Sequence, residues 1–312
     1  MENLSLFSKG CLGTCWYGKY HYLEPWAGCS HGCFYCYARF RKSVKSALNK
    51  AKTSFENPVL LYDEEILLKK IKQKTHSEEI KIVKLCRFTD IFSEPFVKNG
   101  LSAEILSILA SSKAERIIIT TKGVPSREIE KIMAKKPSKF SYNFALRPLN
   151  RLKLENNTPD TDLRIAAAGR ISSLGVKTTA HLDPIAASFD DGESLEKLLK
   201  KIKKSGIKRA MFSYLLLSSD MIEILKKEVG EKNTSLLMSL YDISSLKRYL
   251  PKQEDTFYFS LKPEAKKISA AKIAAVLEKE GFNFVICSLK SGAGALSCGI
   301  KKERVCDGTF YA

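Results

Sequence analysis

GCSHGCFYCYAR, residues 28–39, places Cys29, Cys33 and Cys36 at the spacing C-x3-C-x2-C. Three thiolates spaced this way can grip one face of an iron–sulfur cubane. A [4Fe–4S] cluster ordinarily takes four cysteines, one per iron. With three in one loop, one iron keeps an open position for the donor atoms of a small molecule. A zinc knuckle is the bland alternative, but zinc favours C-x2-C pairs matched by a second pair. Here aromatic residues sit among the thiols, and His31, a candidate fourth zinc ligand, lies between Cys29 and Cys33. Three unrelated core cysteines rarely fall this close together in a cytosolic chain.

The flanks show where the loop sits. HYLEPWAG (21–28) reads as a first strand with a proline break, and a basic helix follows the cysteines. Downstream, β-branched runs alternate with amphipathic ones. Strands are expected at 80–88, 115–121, 139–147, 176–183, 209–216 and 234–242. Helices are expected at 101–113, 126–136, 160–175, 193–206 and 219–230, the third and fourth closed by Gly175 and Gly206. Strands alternating with helices imply parallel pairing and right-handed crossovers. Chemistry in such barrels sits at the carboxyl ends of the strands, which is where the cysteine loop falls.

The 312 residues suffice for one large α/β domain or two small ones. No apolar run approaches the ~20 residues that span a bilayer, and the first residues do not read as a secretory signal. The expected setting is soluble and cytoplasmic, with no membrane partner. Nine cysteines in a chain of this length do not make a disulfide scaffold. The net charge of +18 suits phosphate-rich partners. Part of it is the wet face of an amphipathic helix, with Leu198, Leu199 and Ile202 opposite the lysines. A more pointed patch, Arg39, Arg41, Lys42, Lys45, Lys50 and Lys52, adjoins the cysteines, with no acid between Glu24 and Glu56. Nucleic acid is therefore retained as a candidate partner.

The C-x3-C-x2-C motif with an aromatic before its last cysteine resembles the radical S-adenosylmethionine superfamily. GCSHGCFYCYAR is similar to its spore photoproduct lyase-like branch, in which Tyr-Ala-Arg or a similar run follows the last cysteine. RFTDIFSEPF (87–96), IIITTKG (117–123) and LRIAAAGRISSLGVKTTAHLDPI (163–185) resemble further segments of that branch, in the same order. The resemblance covers about residues 24–185 and implies an α/β fold: a partial (β/α)6 TIM-like barrel. We divide the chain into an N-terminal extension (1–20), the barrel (21–245) and a C-terminal extension packing on it (246–312).

The resemblance also implies a [4Fe–4S] cluster on Cys29, Cys33 and Cys36, whose open iron chelates S-adenosylmethionine. Reductive cleavage then gives a 5′-deoxyadenosyl radical that abstracts hydrogen from the substrate. It implies that Tyr35 contacts adenine, that Thr89 and Asp90 receive the cofactor's amino group, and that Thr121 and Lys122, with Thr120, end the next strand near the cofactor. Tyr37, Cys86, His181 and Asp183 are the catalytic candidates, and Arg147 and Tyr214 are weaker strand-end candidates. Each has an ordinary reading: stacking for the tyrosines, a turn for Thr89 and Asp90, solvent for Lys122, a satisfied histidine for His181. Cys86 lies four residues before Asp90, one out of register with the hydrogen-donating cysteine of that branch. A shift of one residue turns a strand side chain to the other face.

The activity so implied is a lyase acting on a small nucleobase-like substrate, as in queuine lyase-like salvage, with flavodoxin or ferredoxin as reductant. A repair lyase acting on a DNA lesion is the alternative, and a non-catalytic, zinc-stabilised nucleic acid-binding protein is the reading from another class. Cys11, Cys15, Cys287, Cys298 and Cys306 remain. A barrel brings its chain ends together, so four of these with one spare are either an auxiliary metal site or scattered thiols.

Overall fold

A computed structural model describes residues 4–10, 20–77, 79–148, 152, 154–248, 257–288 and 300–311. In chain order, β1 (Phe7–Lys9), β2 (His21–Leu23) and β3 (Trp26–Ala27) precede the cysteine loop. A short 3-10 helix (Tyr37–Phe40), α1 (Lys42–Lys50), β4 (Val59–Leu60) and α2 (Glu64–His76) follow it. The alternating part comprises β5 (Ile82–Leu85), α3 (Glu94–Lys98), α4 (Leu101–Ser111), β6 (Arg116–Thr121), α5 (Arg127–Lys135), β7 (Phe140–Leu146) and α6 (Thr161–Ser173). It continues through β8 (Lys177–Ile185), α7 (Glu193–Lys204), β9 (Arg209–Tyr214), α8 (Ser219–Val229) and α9 (Glu231–Ser239). A hairpin, β10 (Tyr241–Arg248) and β11 (Phe257–Leu261), then α10 (Pro263–Lys279) and β12 (Asn283–Ile286) complete the main elements.

The main sheet runs β1-β2-β5-β6-β7-β8-β9-β12. From β2 onward every pairing is parallel, and β1 caps the edge antiparallel to β2. The sheet curls without closing: Tyr22 of β2 and Val285 of β12, from opposite ends of the strand order, share an apolar cluster with Ile82, Ile118 and Met211. This is the expected partial TIM-like barrel. Side-chain alternation explains its two cores. On β6, Ile118 points into the barrel while Ile117 and Ile119 join the outer core under the helices.

Local sequence accounts for the elements. The Ser126 hydroxyl caps α5 by accepting Ile129 N–H, and the Asp160 carboxylate caps α6 by accepting Asp162 N–H. Glu193 and Glu196 open α7, and Lys201, Lys203 and Lys204 close it, as the helix dipole favours. The proline break in the first strand is real: Glu24 and Pro25 separate β2 from β3, and β3 leaves the main sheet to pair with β4.

One expected strand is corrected. Residues 234–242 begin as helix, since α9 runs to Ser239 and the residues it buries, Thr234 and Leu237, are three apart. Leucine and methionine suit either structure, and the spacing of three to four decides for helix. The next strand to join the main sheet is β12, which pairs with β9 from Asn283↔Arg209 to Ile286↔Phe212.

Candidate active site

At the carboxyl ends of the parallel strands lies a cavity of about 230 Å³. Cys29, Cys33 and Cys36 line it, with Tyr35 and Tyr37 from the same loop. Cys86, Thr89 and Asp90 come from the segment after β5, and Thr120, Thr121 and Lys122 from the end of β6. His181 and Asp183 of β8 face them. Thirteen residues separated by up to 154 positions in sequence thus converge where strand-end chemistry was expected, and Cys287, just after β12, joins them.

The cysteine loop is held on every side by backbone bonds. Cys29 N–H donates to Phe55 O at 2.7 Å, Phe34 N–H to Leu154 O at 3.1 Å, and Asn157 N–H to His31 O at 3.3 Å. The Thr89 hydroxyl donates to Gly28 O. Gly28 adopts a φ of +86°, and a Cβ there would lie 2.7 Å from the Phe55 carbonyl oxygen. Only glycine allows both the turn and the close approach.

All three thiols of the loop are free, and burial raises the pKa of each; that of Cys33 is pushed up to about 12. Buried thiols become thiolates when a cation binds them. Among the described residues no three His, Cys, Asp or Glu side chains come together closely enough to share one metal ion. Three thiols on one cavity suit a polynuclear cluster, which takes one thiol per iron. His31 is buried beside them, its Nδ1 3.4 Å from Cys29 Sγ and 3.4 Å from Asp90 Oδ2. Burial lowers its pKa, opposed by the Asp90 carboxylate.

Asp90 is a hub. Its carboxylate accepts the Thr121 hydroxyl at 2.6 Å, Lys122 N–H at 2.8 Å and Phe92 N–H at 2.8 Å. It joins the turn after β5 to the end of β6. Gly123 completes the turn, since a Cβ there would lie 2.4 Å from Phe92 O. Thr120 Oγ1 is buried on the cavity wall with no hydrogen-bond partner among the described residues. Such a group ordinarily finds a partner in water or ligand, so this wall suits a polar molecule.

Lys122 joins the two sides. Its ammonium donates to Asp183 O at 2.9 Å, pairs with Glu155 Oε1 at 3.0 Å and lies 5.5 Å from the centre of the Tyr35 ring. Glu155 was not legible in the sequence, because no motif surrounds it. Its carboxylate also takes the Tyr35 hydroxyl at 2.6 Å and Arg164 at 3.2 Å. Burial alone would raise its pKa, but Lys122, Arg164 and the tyrosine hold it down at about 2.

Opposite, Asp183 accepts the Ser213 hydroxyl and lies 4.0 Å from His181 Nε2. Tyr37 donates to Arg87 O at 2.7 Å and packs edge-on to Phe88. Two weaker candidates are not brought to the cavity. Arg147 pairs with Asp190 at 3.0 Å and donates to Leu152 O, bracing the β7 and β8 ends. Tyr214 packs in the outer core against Phe212. In the basic patch, Arg39 pairs with Glu56 at 2.6 Å, and Arg41 is buried over the Phe88 ring. Cys306 is buried in the same inner cluster that Cys287 packs against, while Cys11, Cys15 and Cys298 lie outside the described residues. No helix among the described residues is long and apolar enough to cross a membrane.

Lys84 was also missed, though a lysine inside the apolar run IKIVKL is itself a signal. It points into the barrel and lines the cavity, as does Arg87. Glu24, likewise missed, is buried below them and accepts the backbone N–H groups of Arg87 and Phe88.

Among solved structures, the chain is similar to a spore photoproduct lyase variant with bound AdoMet and dinucleoside spore photoproduct. The TM-score is 0.61 at 14% identity, covering 86% of this chain and 77% of that one. It is similar to spore photoproduct lyase complexed with dinucleoside spore photoproduct at a TM-score of 0.60 and 13% identity, covering 84% and 75%. At this identity the likeness is one of fold. No protein-family profile matches the sequence, and no curated protein matches it significantly.

Proposed function

We propose that the chain is a radical S-adenosylmethionine lyase. The observation that carries this reading is the convergence of the three loop thiols with Tyr35, Thr89, Asp90, Thr121 and Lys122 on one cavity at the strand ends. The fold it shares with spore photoproduct lyase supports the same reading.

Cys29, Cys33 and Cys36 would hold the cluster, and the wall from Thr89 to Lys122 would hold S-adenosylmethionine. Bound there, the pair supplies reductive, hydrogen-abstracting chemistry. The chain's own residues do the rest. Lys122 lines the wall with its ammonium shared between Glu155 and Asp183 O, and its remaining donor suits a carboxylate. Tyr35 offers a ring face whose hydroxyl is fixed by Glu155. Asp90 ties the turn after β5 to the end of β6. His181 and Asp183 offer donors and acceptors to the edge of a substrate. Tyr37 and Cys86, both on the cavity, are our candidates for relaying or returning a hydrogen atom.

The substrate we favour is small and nucleobase-like, as in queuine lyase-like salvage. The modest cavity and its polar far wall support this. A DNA lesion is the second reading, favoured by the dinucleoside photoproduct bound to a protein of the same fold. The protein would act in the cytoplasm with flavodoxin or ferredoxin as reductant. Release of 5′-deoxyadenosine in the presence of candidate bases or of ultraviolet-damaged DNA tests the reading. Turnover with damaged DNA alone would replace the favoured substrate with the second, and no release under any condition would end the proposal.

A further inference from the structure

His31 sits between a loop thiol and the hub carboxylate. Its Nδ1 lies 3.4 Å from Cys29 Sγ and 3.4 Å from Asp90 Oδ2, and the residue is only 3% exposed. The backbone around it is fixed as well. His31 O accepts Asn157 N–H, and Gly32 N–H donates to Cys29 O, both at 3.3 Å.

The same distance means different things to the two acceptors. An N–H···O bond runs to about 3.2 Å, so 3.4 Å is long for the carboxylate. Sulfur is the larger atom, and 3.4 Å is an ordinary hydrogen-bond length to it. Asp90 is also served by other donors: Oδ2 accepts Lys122 N–H, and Oδ1 accepts the Thr121 hydroxyl and Phe92 N–H. A bare Nδ1 lone pair facing both a carboxylate and a thiolate would be repelled by each. The surroundings therefore select the form with a proton on Nδ1, aimed at the sulfur. The buried Ser93 hydroxyl donates to the same sulfur at 3.9 Å, a longer and weaker contact.

We propose that the His31 imidazole donates a hydrogen bond to the Cys29 thiolate and thereby raises the reduction potential of the cluster. Reduction adds an electron to the cluster and its thiolates. The positive end of an N–H dipole at the sulfur stabilises that added charge, and hydrogen bonds to the sulfurs are among the levers that set such potentials. No covalent bond forms or breaks and no proton leaves the ring. His31 acts through the cluster and not on the substrate. This rests on the reading that Cys29, Cys33 and Cys36 hold a [4Fe–4S] cluster.

A redox titration followed by electron paramagnetic resonance, on reconstituted protein without S-adenosylmethionine, tests it in wild type, His31→Phe and His31→Asn. Phenylalanine keeps a planar ring and removes the donor; asparagine keeps an amide N–H close to the position of Nδ1. The expected result is about four irons per chain in all three. Reduction is expected to be about tenfold less favourable in His31→Phe, ~59 mV lower for one electron, and to return toward the wild-type value in His31→Asn. An asparagine variant as low as the phenylalanine one overturns the proposal, and so does loss of iron in both variants, which would make His31 a ligand. If His31→Phe alone fails to assemble a cluster, pulsed resonance on wild-type protein with isotopically labelled histidine decides. A weakly coupled nitrogen that disappears in His31→Asn is expected; no coupling, or the strong coupling of a ligated imidazole, overturns it. Iron and sulfide content of the wild type report separately on the cluster reading. An absence of iron there ends that reading and the proposal with it, while normal iron with an unshifted potential in His31→Phe ends the proposal alone.

Discussion

The Tyr35 hydroxyl donates to Glu155 Oε1 at 2.6 Å, tying the cysteine loop to a carboxylate 120 residues further along the chain. Lys122 and Arg164 meet the same carboxylate, at 3.0 and 3.2 Å. One side chain therefore sets the distance between the thiols, the end of β6 and helix α6.

Removing that carboxylate strands two buried cations. Glu155→Ala is expected to destabilise the protein by roughly 3–5 kcal/mol, the usual effect of breaking a buried ion pair. The pH dependence has a definite sign. A carboxyl held at about 2 in the folded chain, against an ordinary 4.5, contributes stability that is full above pH ~4.5 and lost as pH falls toward 2. The gap in unfolding free energy between wild type and Glu155→Gln therefore narrows on acidification through that window. A gap that is constant or widens would show that the carboxylate is not ion-paired.

Gly28→Ala puts a methyl 2.7 Å from Phe55 O at a φ of +86°. The overpacking alone costs about 1–3 kcal/mol. Because Cys29 follows directly, the same variant is expected to bind less iron than wild type after identical reconstitution. Unchanged melting temperature and iron content would mean that the loop relaxes freely.

Thiols on the cavity separate by role. Alanine at Cys29, Cys33 or Cys36 is expected to abolish stable iron binding, measured as iron and sulfide per chain. Cys86→Ala is expected to retain it, since Cys86 stands after β5 rather than in the loop. Loss of iron in Cys86→Ala would make it a fourth ligand.

His181→Ala is expected to lower substrate turnover by about 100-fold, the lower range for a positioned proton-transfer or hydrogen-bonding group. The optical response to S-adenosylmethionine should be unchanged, because His181 belongs to the opposite strand end. Loss of that response would place His181 on the cofactor.

Much of this arrangement was legible in the sequence because it is local. The cysteine spacing, the β-branched runs of β6 and β8, and the capped helices α5 to α7 are each written within about a dozen residues, and the structure keeps them in place. Strand-end position then brought Asp90, Lys122, His181 and Asp183 to one cavity. What failed lacked a local signature. Residues 234–239 are helical because Thr234 and Leu237 face the core together, which a Leu- and Ser-rich run does not announce. Glu155 matters through partners at 35, 122 and 164, which only folding assembles. Arg147 does end a strand, yet its side chain is taken up by Asp190.

Titration of S-adenosylmethionine into the anaerobically reconstituted, reduced protein, followed by electron paramagnetic resonance, bears most directly on the three-thiol loop. About four irons per chain, with a signal that changes shape and saturates as the ligand is added, is the expected result. A cluster signal indifferent to the ligand, or a colourless protein holding stoichiometric zinc, would contradict it.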